Sequence, residues 1–216
     1  MEINFVLPSL RGRFIFLAKG KTRKCALSKG EKKLKADEPL VTSQRLQDLE
    51  KKIRRCRKCR LWAGAANSVP GEGPADAKVM LIGQNPGAEE DKTGRPFVGR
   101  SGKFLNTILE KNGVNRDSVF VTSIVKHKTP GNRVPSKDEI AACRVYIQEQ
   151  MKLIKPRLAI LMGTLAWKEA PKVENTEYLR TFHPAAAMRF PKIRGKFESD
   201  FKLVKEQLAK LAASPF

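Results

Sequence analysis

Three cysteines and one histidine are spaced so that they could hold a metal. Cys56 and Cys59 form a CxxC motif, and His127 precedes Cys143 by sixteen positions. In a chain with four cysteines, a CxxC motif indicates metal binding before disulfide formation. A set of three cysteines and one histidine, taken alone, is typical of structural zinc. Cys25 is the alternative fourth ligand, in which case His127 is an ordinary surface histidine.

A turn rich in amides follows the first predicted strand. The sequence GQNPG at residues 83–87 offers backbone N–H groups and the side-chain amides of Gln84 and Asn85. Asn-Pro and Pro-Gly are also common in ordinary turns, so this motif alone does not define a site. Farther along, Phe97 lies between glycines just before a predicted helix, where it could stack on a flat ring or pack in the core.

A histidine follows the last predicted strand. His183 begins the sequence HPAAAMR, which places Arg189 a turn later, and the chain has only two histidines. At the end of a strand this imidazole could contact a ligand, or it could bond to the backbone and cap the strand. The residues of this segment alone leave both possibilities open.

Strands and helices must alternate along the chain to position these residues. Ser43 is a candidate N-cap for a first helix with apolar residues at helical spacing, and Ser136 with Glu139 forms a capping box for another. Short apolar runs predict the strands, and amphipathic stretches predict the other helices. The strands are predicted at 79–82, 119–125, 158–162 and 178–182, and the helices after the first at 102–111, 136–154, 164–170 and 197–211.

This alternation predicts an α/β fold in which helices cover both faces of a parallel sheet. In open sheets of this kind, ligands bind beyond the carboxyl ends of the strands. The turn at 83–87, the strand end at 123–127 and His183 all fall at that edge. The sequence therefore predicts a single site built from three loops.

The charge of the chain predicts a polyanionic partner. Lys and Arg number 43 against 22 Asp and Glu, which leaves a net charge of +21, and no apolar run is long enough to cross a bilayer. We therefore expect neither a membrane protein nor a disulfide-rich secreted domain. Residues 1–40 form a basic, largely irregular extension, which is either a solvated tail or a nucleic-acid-binding arm.

Three ordered segments together resemble the uracil-DNA glycosylase superfamily, and the most similar type is the thermostable iron–sulfur family usually called family 4. The resemblance runs from about Leu46 to Leu211 and implies a glycosylase-like domain at 41–216. It also implies a three-layer αβα sandwich around a four-stranded parallel sheet. The segments are GQNPGAEEDKTGRPFVGRSG at 83–102, KHKTPGNRVPSKDEIAACRVYI at 126–147 and HPAAAMR at 183–189.

The resemblance changes the metal prediction from zinc to a [4Fe–4S] cluster. The cysteines of the family match Cys56, Cys59 and Cys143, but His127 stands where a fourth cysteine is usual. Histidine can ligate an iron–sulfur centre. We therefore expect three cysteines and His127 to hold the cluster, with Cys25 as the substitute ligand and structural zinc as the alternative metal.

Two departures from the family pattern fall in the implied active site. The family usually has Glu-Ala after the first glycine, whereas this chain has Gln84 and Asn85; an asparagine at the second place resembles relatives in which it positions water. The second strand usually ends in Thr-Asn, and here it ends in Thr122 and Ser123. A hydroxyl offers less than an amide for reading a base edge. Ser123 could therefore relax the pocket toward hypoxanthine or xanthine, or weaken catalysis.

The resemblance also implies a role for each remaining residue. A glycosylase flips the damaged base out of DNA and hydrolyses the N-glycosidic bond, which leaves an abasic site. No lysine is indicated as a Schiff-base nucleophile, so we expect a monofunctional enzyme. The implied roles are catalysis by Asn85 and His183, base binding by Gln84, Phe97 and Ser123, and contacts to DNA phosphate by Ser101 and Arg189.

Two other functional classes remain open. One is a catalytically weak or inactive DNA-binding protein with a metal cluster on the same fold, because of Gln84 and Ser123. The other is an RNA-binding or RNA-processing factor that uses the basic extension. The main expectation is a monomer that acts on single- or double-stranded DNA containing a deaminated base, in the cytoplasm of a prokaryote with the nucleoid.

Overall fold

The computed structural model describes residues 39–213. The predicted extension at 1–40 lies almost wholly outside these residues, and so does Cys25. The strands are β1 (Val79–Gly83), β2 (Val119–Ser123), β3 (Leu158–Met162) and β4 (Glu177–Thr181). They form a single sheet in the order β2-β1-β3-β4, and every pair of neighbours is parallel. The predicted four-stranded parallel sheet is confirmed.

Helices cover both faces of this sheet and give the predicted three-layer sandwich. The helices are α1 (Pro39–Arg54), α2 (Ala88–Thr93), α3 (Arg100–Lys111), α4 (Lys137–Ile154), α5 (Thr164–Glu169), α6 (Pro184–Arg189) and α7 (Pro191–Ala213). Successive residues of β1 pack into opposite cores: Met80 lies in the core with α1 and α4, and Leu81 lies in the core with α3 and α7. A strand that is buried on both faces is apolar throughout, as β1 is.

Several predicted boundaries were wrong, whereas the capping box was right. Ser43 lies inside α1 and is not its N-cap, because the helix already includes Pro39. The short helices α2 and α6 lie in segments for which the sequence patterns predicted no helix. At α4, the Glu139 N–H donates to Ser136 Oγ and the Ser136 N–H donates to Glu139 Oε2, at 3.4 and 2.8 Å.

No helix between residues 39 and 213 is long and apolar enough to cross a membrane.

The predicted second strand ends two residues early, at Ser123, because the next backbone N–H groups leave the sheet. Ile124 N–H donates to Gly83 O at 3.0 Å, and Val125 N–H donates to Gln84 O at 3.2 Å. The end of β2 is therefore joined to the turn that follows β1, which is the edge where the candidate residues were expected.

Candidate active site

A cavity of about 710 Å³ opens at the carboxyl edge of the sheet. Its walls come from the loops that follow all four strands, as expected for an open parallel sheet. Every residue predicted for catalysis, base binding or phosphate contact lines it, although these residues are far apart in the sequence. They are Gln84, Asn85, Phe97, Ser101, Ser123, His183 and Arg189.

The two amides of the turn after β1 bond to each other. Gln84 Nε2 donates to Asn85 Oδ1 at 2.9 Å, and Asn85 Nδ2 donates to Pro86 O at 2.9 Å. An amide oxygen has two lone pairs, so Asn85 Oδ1 keeps one acceptor position for a further group. The side-chain amide of Gln84 thus contacts Asn85, and base binding by Gln84 stays a prediction.

Glu90, which the sequence patterns had not singled out, joins two loops of the cavity. Its side chain is buried, and its carboxylate accepts the Gly87 N–H at 3.0 Å and the Gly99 N–H at 2.8 Å. It therefore ties the amide-bearing turn to the loop that carries Phe97. A glutamate three positions after a helix N-cap is the spacing of a capping box, and this signal could have revealed it.

Phe97 is packed tightly between the turn and the imidazole. Its backbone has a φ of +53°, and its ring centroid lies 6.0 Å from that of His183 with 30° between the planes. A Cβ at Gly83 would lie 2.7 Å from Phe97 Cζ, and one at Gly102 would lie 1.7 Å from Phe97 O. Both glycines are therefore needed for this close approach.

His183 presents one defined ring nitrogen to the cavity. It is the N-cap of α6, and its Nδ1 accepts the Ala185 N–H at 3.2 Å. The neutral imidazole then carries its proton on Nε2, which is a donor. Burial lowers the pKa of His183 below its ordinary value, and the Glu90 carboxylate partly opposes this shift. The imidazole is therefore neutral at neutral pH and can donate without carrying a charge.

Ser123 lies at the inner end of the cavity, next to the amide turn. It is the last residue of β2, is 4% exposed, and stands opposite Gly83 in the register of the two strands. Its hydroxyl can both donate and accept, but it is short. Any base that it contacts must enter deeply, between Ser123 and the turn.

Two cations stand at the cavity and form no ion pair within the described part of the chain. Arg189 was predicted, whereas Lys168, an exposed residue of α5, was not. Lysine is common in this chain, and no local pattern distinguishes this one before the fold is known. Together the two side chains place positive charge on two different helices, α5 and α6, around the opening.

The three predicted cysteine ligands lie in the same core. Cys56 and Cys143 belong to the apolar cluster between the sheet and α1 and α4, and Cys59 packs against it. The pKa of Cys143 is raised to about 11, chiefly by burial and to a smaller extent by the other two thiols, which reflects their proximity, while Lys126 opposes the shift. Desolvation also raises the pKa of Cys59. Clustered thiols with raised pKa values are stabilised as thiolates by a bound metal.

His127 is buried, so the alternative of a surface histidine is wrong. It is 5% exposed and lines a cavity of about 720 Å³ together with Cys56. Burial lowers its pKa, and nearby Asp91 opposes this shift. Across residues 39–213, no group of three or more cysteine, histidine or acidic side chains is placed with metal-binding geometry.

The chemistry of the donor set nevertheless fits a metal–thiolate group. Cys143 Sγ accepts the Lys126 N–H at 3.3 Å, a bond that a metal-bound thiolate can also accept. The Lys126 ammonium is fully buried, and burial lowers its pKa to about 7 while Cys143 raises it. An anionic metal–thiolate group at Cys143 would compensate that buried positive charge. The three thiols and His127 therefore suit either an iron–sulfur cluster or zinc.

Comparison with known proteins gives one consistent result. The sequence model of the uracil DNA glycosylase superfamily matches residues 70–209. The type-4 uracil-DNA glycosylase of Saccharolobus solfataricus is 40% identical over 180 residues, which cover 73% of this chain and 83% of that protein. The type-4 enzymes of Pyrobaculum aerophilum and Sulfurisphaera tokodaii are 38% and 37% identical, over 73% and 74% of this chain and 92% and 84% of their own lengths.

Proposed function

Because this chain belongs to the uracil-DNA glycosylase superfamily, we propose that it is a DNA repair enzyme that excises uracil from DNA by hydrolysing the N-glycosidic bond. The observation that carries this proposal is the convergence of seven candidate residues on one cavity of about 710 Å³. A cavity of this size accommodates a nucleobase with its sugar. We assign the activity to the domain at residues 41–216.

The substrate base must leave the helix to reach this cavity. Flipping a base costs a few kcal/mol, and least where the base is mispaired or single-stranded. The cavity supports such entry because its inner end is polar, at Ser123, while Phe97 offers an aromatic wall. An extruded base would contact both residues at once, by hydrogen bonding at its edge and by packing against its face.

His183 stabilises the charge that develops on the departing base. Breaking the N-glycosidic bond leaves negative charge on the base, and a donor placed at that charge typically contributes about 10²–10³ in rate. The Nδ1 of His183 is occupied by the Ala185 N–H, so its Nε2–H is the donor that remains. We assign a second donor role to the backbone N–H of Gln84.

Asn85 holds the attacking water. An asparagine cannot deprotonate water, but it can fix its direction, and a dissociative reaction at the sugar needs little more from its nucleophile. The bond from Gln84 fixes Asn85 Oδ1 as an acceptor, and its free lone pair can take a hydrogen of that water. Gln84 therefore acts on the reaction through Asn85.

Ser123 sets which bases are accepted. Its hydroxyl is one short group that donates or accepts, whereas an amide would present both functions to the uracil edge. We propose that hypoxanthine and xanthine are also substrates, since the pocket discriminates less strictly at this position. We assign the contacts to DNA phosphate to Ser101 and Arg189, and we add Lys168, which also lines the cavity, as a third.

We propose that a metal group would clamp the first helix to the region 131–147, which includes the first turns of α4. Cys56, Cys59, His127 and Cys143 would hold it, as a [4Fe–4S] cluster with Cys25 as substitute ligand or, alternatively, as zinc. Its contribution is structural, because a metal bound by side chains from separate segments stabilises the folded chain.

A time course on oligonucleotides tests the proposed function. Single- and double-stranded DNA carrying uracil, hypoxanthine or xanthine is incubated with the protein, and abasic sites are revealed by alkali. We expect abasic product from uracil at the least, strand cleavage only after alkali, and no covalent adduct with borohydride, as for a monofunctional enzyme. Binding without product from any of the three bases would favour the inactive DNA-binding protein instead.

A further inference from the structure

Lys126 follows β2 and carries an ammonium group that no solvent reaches. Its side chain is 0% exposed. The Nζ donates to Thr122 Oγ1 at 2.6 Å, to Ser123 O at 2.8 Å and to Gln150 Oε1 at 2.7 Å. An ammonium has three hydrogens, and here each has one acceptor. The side chain is thus fully hydrogen-bonded inside the protein.

This cation is costly to bury. None of the carboxylates in residues 39–213 forms an ion pair with Lys126, and its three acceptors are all uncharged. Burying a charged group costs free energy unless hydrogen bonds or an opposite charge compensate it. The three hydrogen bonds of Lys126 supply part of this compensation, and they fix the relative positions of Thr122, Ser123 and Gln150.

The bonds of Lys126 extend to two neighbouring segments that line the base cavity. Lys126 Nζ holds the carbonyl of Ser123, and both Ser123 and Val69 line the cavity. The Val69 N–H donates to the Lys126 carbonyl at 2.7 Å. The next residue, Pro70, accepts a bond from Gln150 Nε2 at 2.8 Å, and Gln150 is itself an acceptor for the Lys126 ammonium. Lys126 therefore joins the end of β2, which carries Ser123, to the adjacent segment that carries Val69.

The same residue also connects the amide turn with the cysteines. The two residues before Lys126 donate their N–H groups to the carbonyls of Gly83 and Gln84. The Lys126 N–H donates to Cys143 Sγ at 3.3 Å. A displacement of Lys126 would therefore shift the amide turn, the end of β2 and the hydrogen bond to the Cys143 thiol.

We propose that Lys126 is a positioning residue that fixes Ser123 and Val69 in the wall of the base cavity without touching the base. The proposal rests on the proposed function only for the identity of the base. Its ammonium holds the Ser123 carbonyl and, through Gln150, the Pro70 carbonyl next to Val69, so that a planar ring meets a fixed wall at these two residues.

The test compares Lys126→Met with wild type, using free uracil as the probe. Methionine keeps the length and removes the three donors. We expect the inhibition constant of free uracil to rise about 10-fold, because the Ser123 carbonyl and Gln150 lose their hydrogen bonds to Lys126. The affinity for undamaged single-stranded DNA and the fraction of active molecules, titrated by burst amplitude, stay within about 2-fold. Lys152→Met, which removes an exposed lysine of α4, is the matched control.

Amide hydrogen exchange gives a second readout that needs neither base nor catalysis. In Lys126→Met the amides of Val69, Ile124 and Val125 exchange about 10-fold faster, while those of β4 are unchanged. Gln150→Met removes one acceptor and gives a smaller change in the same direction, should Lys126→Met fail to fold. The proposal is overturned if a folded Lys126→Met variant has the same uracil inhibition constant and the same amide exchange rates as wild type. A wild-type protein that neither excises nor binds uracil refutes the proposed function, and exchange then decides for Lys126 alone.

Discussion

Gln84 Nε2 donates to Asn85 Oδ1 at 2.9 Å, so that the amide of one residue decides which way the next amide points. The bond from Asn85 Nδ2 to Pro86 O requires the same orientation. Shape alone rarely distinguishes the oxygen of an amide from its nitrogen, but two concurring hydrogen bonds do. The oxygen of Asn85 therefore faces Gln84 and keeps one lone pair for a water molecule.

Gln84→Glu should impair excision although the change is isosteric. A carboxylate cannot donate to Asn85 Oδ1, so the asparagine amide would turn its nitrogen toward it and move its oxygen away. We expect the single-turnover excision rate to fall about 10–100-fold, with little change in DNA affinity. Combining this change with Asn85→Ala gives the Glu-Ala pair usual in family 4, and the double variant should lose less than the product of the two single effects. An unchanged rate in Gln84→Glu would show that Gln84 does not orient Asn85.

Excision should be independent of pH above the ordinary pKa of histidine. Burial lowers the pKa of His183, and the neutral imidazole is the form that keeps Nδ1 as an acceptor and Nε2–H as a donor. Activity is therefore present above the lowered pKa and is lost as the pH falls through it. The measurement is the single-turnover rate between about pH 4.5 and 8. His183→Ala should lose about 10²–10³ in rate and the acidic limb with it; an acidic limb that survives in this variant must belong to another group.

The sheet and the position of the site followed from apolar runs and turn residues. The strands β1, β2 and β3 are short buried runs, so their apolar patterns are strong, and parallel strands must present their carboxyl ends at one edge. These two features predict that Asn85 and His183 share one site, and both residues line the same cavity. The helix boundaries were less accurate, because Ser43 has a residue type that suits an N-cap but lies inside α1.

Contacts between residues distant in the sequence could not be predicted in this way. The Glu90 carboxylate accepts the Gly99 N–H across a loop, and Lys126, which follows β2, donates to Gln150 of α4. Glutamate and lysine side chains are usually exposed to solvent, so the sequence alone predicts that these two side chains lie on the surface, whereas both are buried. Only the fold shows that their charges lie where backbone and amide groups need a partner.

Glu90→Gln should loosen the cavity and destabilise the protein. A glutamine has one acceptor oxygen, whereas the carboxylate of Glu90 accepts the N–H groups of Gly87 and Gly99 with both oxygens. Leaving one buried N–H without a partner costs about 1–3 kcal/mol in the free energy of unfolding. Urea denaturation measures this loss, and we expect the excision rate to fall at least several-fold. Glu89→Gln, an exposed neighbour paired with Lys92, is the matched control and should change neither quantity.

Ser123→Asn should sharpen the preference for uracil. The longer amide offers a donor and an acceptor to the base edge, where the hydroxyl offers one group. We expect the ratio of excision rates, uracil over hypoxanthine, to rise about 10-fold. Competition between the two bases in otherwise identical single-stranded oligonucleotides measures that ratio directly. If the ratio does not move while uracil is still excised, the base is read elsewhere in the cavity.

Removing the metal should destabilise the contact between α1 and α4 and not the cavity chemistry itself. Protein purified without oxygen should contain iron and sulfide and absorb near ~400 nm, whereas zinc with no colour would establish the alternative metal. Cys143→Ser removes a buried thiol that Lys126 contacts. This variant should lose the metal, and its free energy of unfolding should fall by several kcal/mol, on the order of what a structural metal site contributes.

His127→Ala and Cys25→Ala identify the fourth ligand, since only one of them should lower the metal content. His127→Cys should retain the metal if His127 occupies the position of the usual cysteine. Equal metal content in His127→Ala and wild type would transfer that role to Cys25.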